Sequence, residues 1–235
     1  MIDTPPVKAA RWGLWDVLIT LGGALVLGVA AALVLDALSA PLAIQVLVGG
    51  MAPWLALAGW PLFITSVRGN GPRMDLSLSL SWRDAGSGLV GGVIAIIAAV
   101  VVALATAAIF GEFNSAAGDV GVELKALGDY WLLIAFGLMI AVGAPIAEEL
   151  AFRGLFFAAL RKHGVGPVLS VVITAVAFAL FHLEPARLGV LVTIGLVLGI
   201  VRLRTGSLGA SMVAHGVVNA PAAVILVIGL PGVAP

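Results

Sequence analysis

Long apolar runs dominate the sequence and constrain its fold more than any other feature. A helix needs about 20 apolar residues to cross a hydrocarbon core of about 30 Å. Seven runs approach or exceed this length: Trp12 to Leu38, Leu42 to Val67, Gly88 to Phe110, Tyr130 to Arg161, Pro167 to Leu183, Leu188 to Leu203 and Ser207 to Ile228. The sequence therefore predicts an all-α, polytopic membrane protein with seven transmembrane helices, or eight if Pro145 splits the fourth run.

The composition supports this class and excludes several functions. Hydrophobic residues make up 62% of the chain and charged residues 10%, against about 25% charged residues in soluble domains. The 12 basic and 12 acidic side chains cancel, so net charge gives no reason to expect a nucleic acid partner. The absence of cysteine excludes a thiolate nucleophile and a cysteine-ligated zinc site. We expect a single integral membrane domain over residues 1–235 whose first span is retained.

The basic residues predict how the chain is oriented in a cell membrane. With seven spans, one side carries Lys8, Arg11, Arg68, Arg73, Arg83, Arg161, Lys162, Arg202 and Arg204. Only Lys125 and Arg187 then lie on the opposite side. By the positive-inside rule the N-terminus is cytoplasmic, residues 111–129 form an acidic outer loop, and the C-terminus is outside.

The fourth run contains the polar stretch APIAEELAFRG. On a helix, Glu149 and Arg153 lie four residues apart on one face, with the acid first, which is the favourable order for an ion pair. Glu148 points about 100° away and is left available as a general acid or base. The alternative is that all three side chains snorkel to the cytoplasmic surface. The apolar LFFAAL that follows places them deeper, where ionisable residues are usually functional.

Two later spans carry further polar pairs with the same helical spacing. Phe178 and His182 lie on one face of the fifth run, and His215 and Asn219 on one face of the last. Either pair alone could serve helix packing through hydrogen bonds. Because the first three spans contribute almost no such groups, we expect these side chains and Glu148 to converge on a water-filled pocket. Counting the rise per residue favours a pocket that opens to the cytosol.

The motifs EExxxR, FxxxH and HxxxN, in this order, resemble those of the CPBP intramembrane endopeptidase family. That family includes the CAAX prenyl proteases of the Ras-converting type and bacteriocin-processing relatives. The match covers about residues 130–225, which carry the catalytic-motif helices. The resemblance implies an all-helical hydrolase that cleaves a peptide bond in a membrane-associated protein or peptide substrate. The protein would lie in the lipid bilayer, and no nucleic acid partner is expected.

The resemblance also implies a role for each motif residue. Glu148 would be the general base that activates water, His182 would assist it, and His215 with Asn219 would stabilise the oxyanion. The supporting residues would be Glu149, Arg153 and Phe178.

The motifs do not decide whether the site binds a metal ion. Glu148, His182 and His215 could supply three ligands to a catalytic zinc ion, and the family has been described both as metallopeptidases and as glutamate-dependent peptidases. The absence of HExxH favours a mechanism without metal. Two other functions are kept as alternatives: a proton-coupled membrane transporter, in which the same groups relay protons, and a non-catalytic membrane adaptor or immunity factor.

Overall fold

A computed structural model describes residues 9–228 of the chain. The expectations that rest on Lys8 and on residues 229–235, including the side on which the C-terminus lies, fall outside the described residues. Residues 9–228 form helices and connecting turns and contain no β-strand, which confirms the all-α prediction. The helices are Leu14–Ala37 (α1), Leu42–Ile44 continuing through Gln45–Gly49 (α2), Leu55–Arg68 (α3), Pro72–Asp75 (α4), Trp82–Phe110 (α5), Ala116–Ala126 (α6), Tyr130–Lys162 (α7), Pro167–Phe181 (α8), Pro185–Thr205 (α9) and Leu208–Ile228 (α10).

Five helices of the described region are long and apolar enough to cross a membrane, namely α1, α5, α7, α9 and α10. The predicted count of seven is not confirmed. The second predicted span is interrupted by a turn at Ala52 and Pro53, and α3 is one of the shorter apolar helices. Helix α8 has 15 residues, or about 22 Å at 1.5 Å per residue. Hydropathy detects apolar runs, but it does not show where a helix begins and ends within them.

Helix α7 is continuous through Pro145, so proline does not split the fourth run. A π-helical turn, Met139–Gly143, comes directly before the segment that contains this proline. Such a wide turn can accommodate a residue that lacks the N–H group and whose ring crowds the preceding turn. A second π-helical segment, Leu150–Phe156, contains Arg153, and π-helical turns within α-helices often lie at functional sites.

Glycines allow the helices around the polar residues to pack closely. A Cβ atom on Gly92 of α5 would lie 2.5 Å from Val217 Cβ of α10. A Cβ atom on Gly195 of α9 would lie 2.9 Å from Ala175 Cα of α8. Small residues serve this purpose in membrane proteins, where close packing of backbones drives helix association.

The basic loops meet at one end of the bundle, which we call the basic end. Arg11 N donates to Arg68 O over 2.7 Å, and Ser207 Oγ donates to Ser79 O over 2.7 Å. The helix directions place eight of the predicted same-side basic residues here: Arg11, Arg68, Arg73, Arg83, Arg161, Lys162, Arg202 and Arg204. The opposite end, which we call the acidic end, contains residues 111–129 and 182–187.

The α5–α10 contact gives a testable prediction. Gly92→Ala should lower the free energy of unfolding by about 1–3 kcal/mol, because the added methyl group has no room against Val217. Gly86→Ala is the matched control on the same helix, since no atom lies within 4 Å of the added Cβ, and it should be neutral or stabilising by about 0.5–1 kcal/mol. Thermal unfolding in detergent measures both. Equal unfolding temperatures for the two variants would contradict this account of the packing.

Candidate active site

The centre of the site is an ion pair on α7 between Glu149 and Arg153. Arg153 Nη1 lies 2.8 Å from Glu149 Oε1, and both side chains are completely buried. Arg153 Nη2 donates to Gly195 O of α9 over 3.0 Å. The ion pair expected from the four-residue spacing is therefore present, and it also ties α7 to the helix packed against it.

Two side chains of α10 complete the surroundings of Glu149. Ser211 Oγ donates to Oε2 of Glu149, and Nδ1 of His215 lies 3.0 Å from Oε1. Sequence reasoning missed Ser211, although it precedes His215 by four residues and so lies on the face that also carries Asn219. Since Arg153, Ser211 and His215 all bind Glu149, this carboxylate is held in place.

Phe178 of α8 packs among the charged and imidazole side chains. Its ring centroid lies 4.6 Å from Arg153 Cζ, 4.6 Å from the His182 ring and 5.6 Å from the His215 ring. The Phe152 ring of α7 meets it edge to face at 5.4 Å. Phe178 therefore fixes the spacing between α8 and the other helices of the site by packing, without any polar group of its own.

Arg202 is a second residue that sequence reasoning did not place near the site. Its side chain is buried in the last turn of α9, where Nε lies 3.2 Å from Arg153 O and Nη2 lies 3.3 Å from Leu76 O. In the sequence, Arg202 lies near the end of an apolar run, as the basic residues expected at the membrane surface do. No local pattern therefore distinguishes it from them. The contact depends on how α9 packs against α7.

Glu148 has surroundings that differ from those of its neighbour. Its side chain is 18% exposed, and Oε2 lies 3.7 Å from Nε2 of His215. It lines a cavity of about 670 Å³ together with His182, His215 and Asn219. The structure thus brings to one cavity the four residues that the motifs single out, from α7, from the C-terminal end of α8 and from α10.

The hydrogen bonds constrain which ring nitrogens and amide groups can face a ligand. Nδ1 of His182 lies 2.8 Å from Phe178 O. Because a carbonyl oxygen only accepts, Nδ1 carries a hydrogen, and in the neutral imidazole Nε2 then has the free lone pair. Nδ1 of His215 likewise carries the hydrogen toward Glu149. Asn219 Nδ2 donates to Ile140 O over 3.0 Å, which leaves its second N–H group and its oxygen for the cavity.

The cavity reaches the acidic end of the molecule. Its lining includes Phe113 and Ser115, from the loop after α5, and Glu184 and Arg187, which form an ion pair of 2.6 Å. Counting residues indicated a pocket that opens at the basic end, whereas these lining residues lie at the acidic end. The reason is that His182 ends α8 at the acidic end, so the site lies closer to that end than counting residues indicated.

The residues proposed as zinc ligands do not form a three-ligand cluster. Across residues 9–228, no group of three or more His, Asp or Glu side chains is close enough together to hold a metal ion. Glu148 and His215 approach each other, but His182 does not complete a set with them.

Comparison with known families adds to this geometry. Residues 130–221 match the family model described as Type II CAAX prenyl endopeptidase Rce1-like. This match supports assignment of the segment to the CPBP/CAAX protease family. The Rce1-like segment begins at α7 and extends into α10, and it contains all the predicted site residues. Searches of curated proteins and of solved structures give no match. The family match supports an intramembrane protease activity, and together with the apolar helices it supports a multi-pass membrane protein.

The buried ion pair gives a second prediction. Arg153→Met should lower the free energy of unfolding by about 3–5 kcal/mol, because it leaves the Glu149 carboxylate buried without its counterion. The double variant Glu149→Gln/Arg153→Met should recover part of this loss, since no unpaired charge remains. Arg204→Met is the control, because it removes the same charge from an exposed position. It should change the free energy of unfolding by less than about 0.5 kcal/mol. Denaturant unfolding that gave Arg153→Met and Arg204→Met equal stability would contradict the account.

Proposed function

We propose that the protein is an intramembrane endopeptidase that hydrolyses a peptide bond in a membrane-associated substrate through an activated water. The observation that carries this proposal is the presence of Glu148, His182, His215 and Asn219 around one cavity. A carboxylate, two imidazoles and an amide supply a base, an acceptor and donors, which are the groups that water-mediated amide hydrolysis needs. The Rce1-like family supports the same reaction class.

The attacking water would lie between Glu148 and His182. The Glu148 carboxylate accepts one proton of the water as its oxygen attacks the scissile carbonyl carbon. The lone pair on Nε2 of neutral His182 accepts a hydrogen bond from the second O–H group and orients the water; this hydrogen stays on the oxygen that becomes part of the product carboxyl group. Collapse of the tetrahedral intermediate breaks the C–N bond, and Glu148 returns the proton to the leaving amine.

The negative charge that develops on the carbonyl oxygen would be stabilised from α10. Asn219 has one N–H group left for this purpose, since the other donates to Ile140 O. His215 can donate only when both ring nitrogens carry hydrogen, because Nδ1 already faces Glu149. Removing one such donor typically lowers kcat by about 10²–10³-fold.

Glu149, Arg153 and Phe178 would act as positioning residues. Glu149 fixes the His215 ring through Nδ1, and Arg153 holds Glu149. Phe178 contacts the rings of both His182 and His215. None of the three has to contact the substrate to keep the reacting groups in place.

The cavity lining indicates the kind of substrate segment that would enter. Apolar side chains of α5 and α10 form one wall, including Ile96, Val100 and Ile225. Val100 is 50% exposed at the surface of the bundle, where lipid would surround it. We therefore propose an apolar, membrane-associated segment as substrate, without assigning a lipid modification to it.

We also propose that the protein spans the cell membrane seven times with a cytoplasmic N-terminus. The basic end supports this orientation, since eight cationic residues collect there. Helices α3 and α8 would be the short spans. When both are counted, successive spans run in opposite directions between the basic and the acidic end.

Glu148→Gln tests the proposed base. It should lower cleavage by about 10²–10⁴-fold without a change in unfolding temperature, because the amide keeps the shape and removes the proton acceptor. The measurement is a proteomic comparison of membrane peptides from cells that express the wild type, Glu148→Gln, or the control Glu123→Gln. Glu123 is exposed on α6, so its variant should produce the wild-type fragments. Identical fragments from all three would contradict the proposal, and full complementation by Glu148→Gln would favour a non-catalytic adaptor.

The orientation is tested by labelling cysteines, since the chain contains none. Lys125→Cys at the acidic end should react with a membrane-impermeant maleimide in intact cells. Arg83→Cys at the basic end should react only after the membrane has been permeabilised. The reverse pattern would show that the basic end is outside.

A further inference from the structure

A second cavity lies at the basic end, far from the proposed active site. It has a volume of about 810 Å³ and is formed by the start of α1, the end of α3 and the end of α7. Three cationic and three indole side chains line it: Arg11, Trp12, Trp15, Trp60, Arg68 and Lys162. Nothing in the proposed peptidase mechanism uses these residues.

Two of the cations have no protein partner among residues 9–228. Arg11 and Arg68 are exposed, and neither guanidinium forms a hydrogen bond or ion pair within that range. Their backbones are joined by the bond from Arg11 N to Arg68 O, so both side chains start from adjacent points on the rim. Two guanidinium groups on adjacent backbone positions can bind one phosphate through several hydrogen bonds.

The third cation is fixed by the protein. Lys162 Nζ donates to Ala10 O over 2.6 Å and to Trp12 O, and it lies 4.8 Å from the Trp12 ring centroid. Its charge is not neutralised by these neutral partners, so it adds to the positive potential of the cavity.

Among residues 9–228, Asp16 is the one acidic side chain in the lining, and it is already engaged. Its Oδ2 accepts from Gly13 N over 2.9 Å and its Oδ1 accepts from Trp60 Nε1 over 3.3 Å. Asp16 is buried, whereas Arg11 and Arg68 are exposed. The cavity therefore presents positive charge to a ligand.

The wall of the cavity is apolar on the side that continues along α1. Trp15, Leu18 and Ile19 line it and are 80%, 59% and 48% exposed. These side chains follow the cations in the direction of the membrane centre, as α1 enters the bilayer. Indole rings at such a level are typical of the lipid–water interface.

We propose that this cavity binds an anionic phospholipid. The phosphate-bearing headgroup would lie on Arg11, Arg68 and Lys162, and the acyl chains would run along the apolar wall at Leu18 and Ile19. A basic pocket between transmembrane helices on the cytoplasmic side is a known form of lipid site. The apolar wall distinguishes this ligand from a soluble anion, which would contact only the cations.

The test uses the full chain purified in a neutral detergent and does not depend on proteolysis. Phosphatidylglycerol or phosphatidylcholine is added, and bound lipid is counted by native mass spectrometry while unfolding temperature is followed. The wild type should retain phosphatidylglycerol about 10-fold better or more, and only this lipid should raise the unfolding temperature. Arg11→Gln/Arg68→Gln should lower retention to the level of phosphatidylcholine.

The matched control is Arg83→Gln/Arg204→Gln. Both residues are exposed at the basic end but do not line the cavity, so this variant should retain phosphatidylglycerol as the wild type does. Equal loss in both double variants would show a general effect of surface charge and overturn the proposal. Inorganic phosphate that raises the unfolding temperature as much as the lipid would overturn it in favour of a soluble anion. Failure of the wild type to retain phosphatidylglycerol would also overturn it.

Discussion

The buried ion pair between Glu149 and Arg153 is the interaction on which the rest of the site depends. Moving two charges out of water costs several kcal/mol for each ion, and this is offset only when the remaining donors and acceptors are also satisfied. Here Ser211 and His215 of α10 bind the carboxylate, and Gly195 O of α9 accepts from the guanidinium. Arg153 Nε is the one buried side-chain N or O atom within residues 9–228 that has no hydrogen-bond partner. The pair therefore requires α7, α9 and α10 to pack in one register.

This requirement determines what the neighbouring carboxylate can do. Because Glu149 is fully engaged, His215 is oriented with Nε2 toward Glu148, which lines the cavity. Two adjacent glutamates thus have different environments: one holds the helices together and the other faces the space where a substrate would bind. The lipid site proposed at the basic end is separate from this arrangement, so each can be tested without the other.

Local periodicity predicted much of the site. The four-residue spacing of Glu149 and Arg153 follows from helical geometry, and the resemblance of the motifs selected Glu148, His182, His215 and Asn219. Their roles and the use of a metal stay predictions. Contacts that depend on tertiary packing were not predicted. The partners of Arg202 come from distant segments of the chain. The count of seven spans is not confirmed, because turns interrupt or shorten two apolar runs.

In the proposed mechanism, a substrate carbonyl group meets Glu148 inside the cavity that His182 and Asn219 also line. The most direct test is an experimental structure of the Glu148→Gln protein with an uncleaved peptide bound. The scissile carbonyl carbon should lie within about 4 Å of residue 148, and its oxygen should accept a hydrogen bond from Asn219 Nδ2 over about 3 Å. A peptide bound outside this cavity, or with its carbonyl beyond the reach of both side chains, would contradict it.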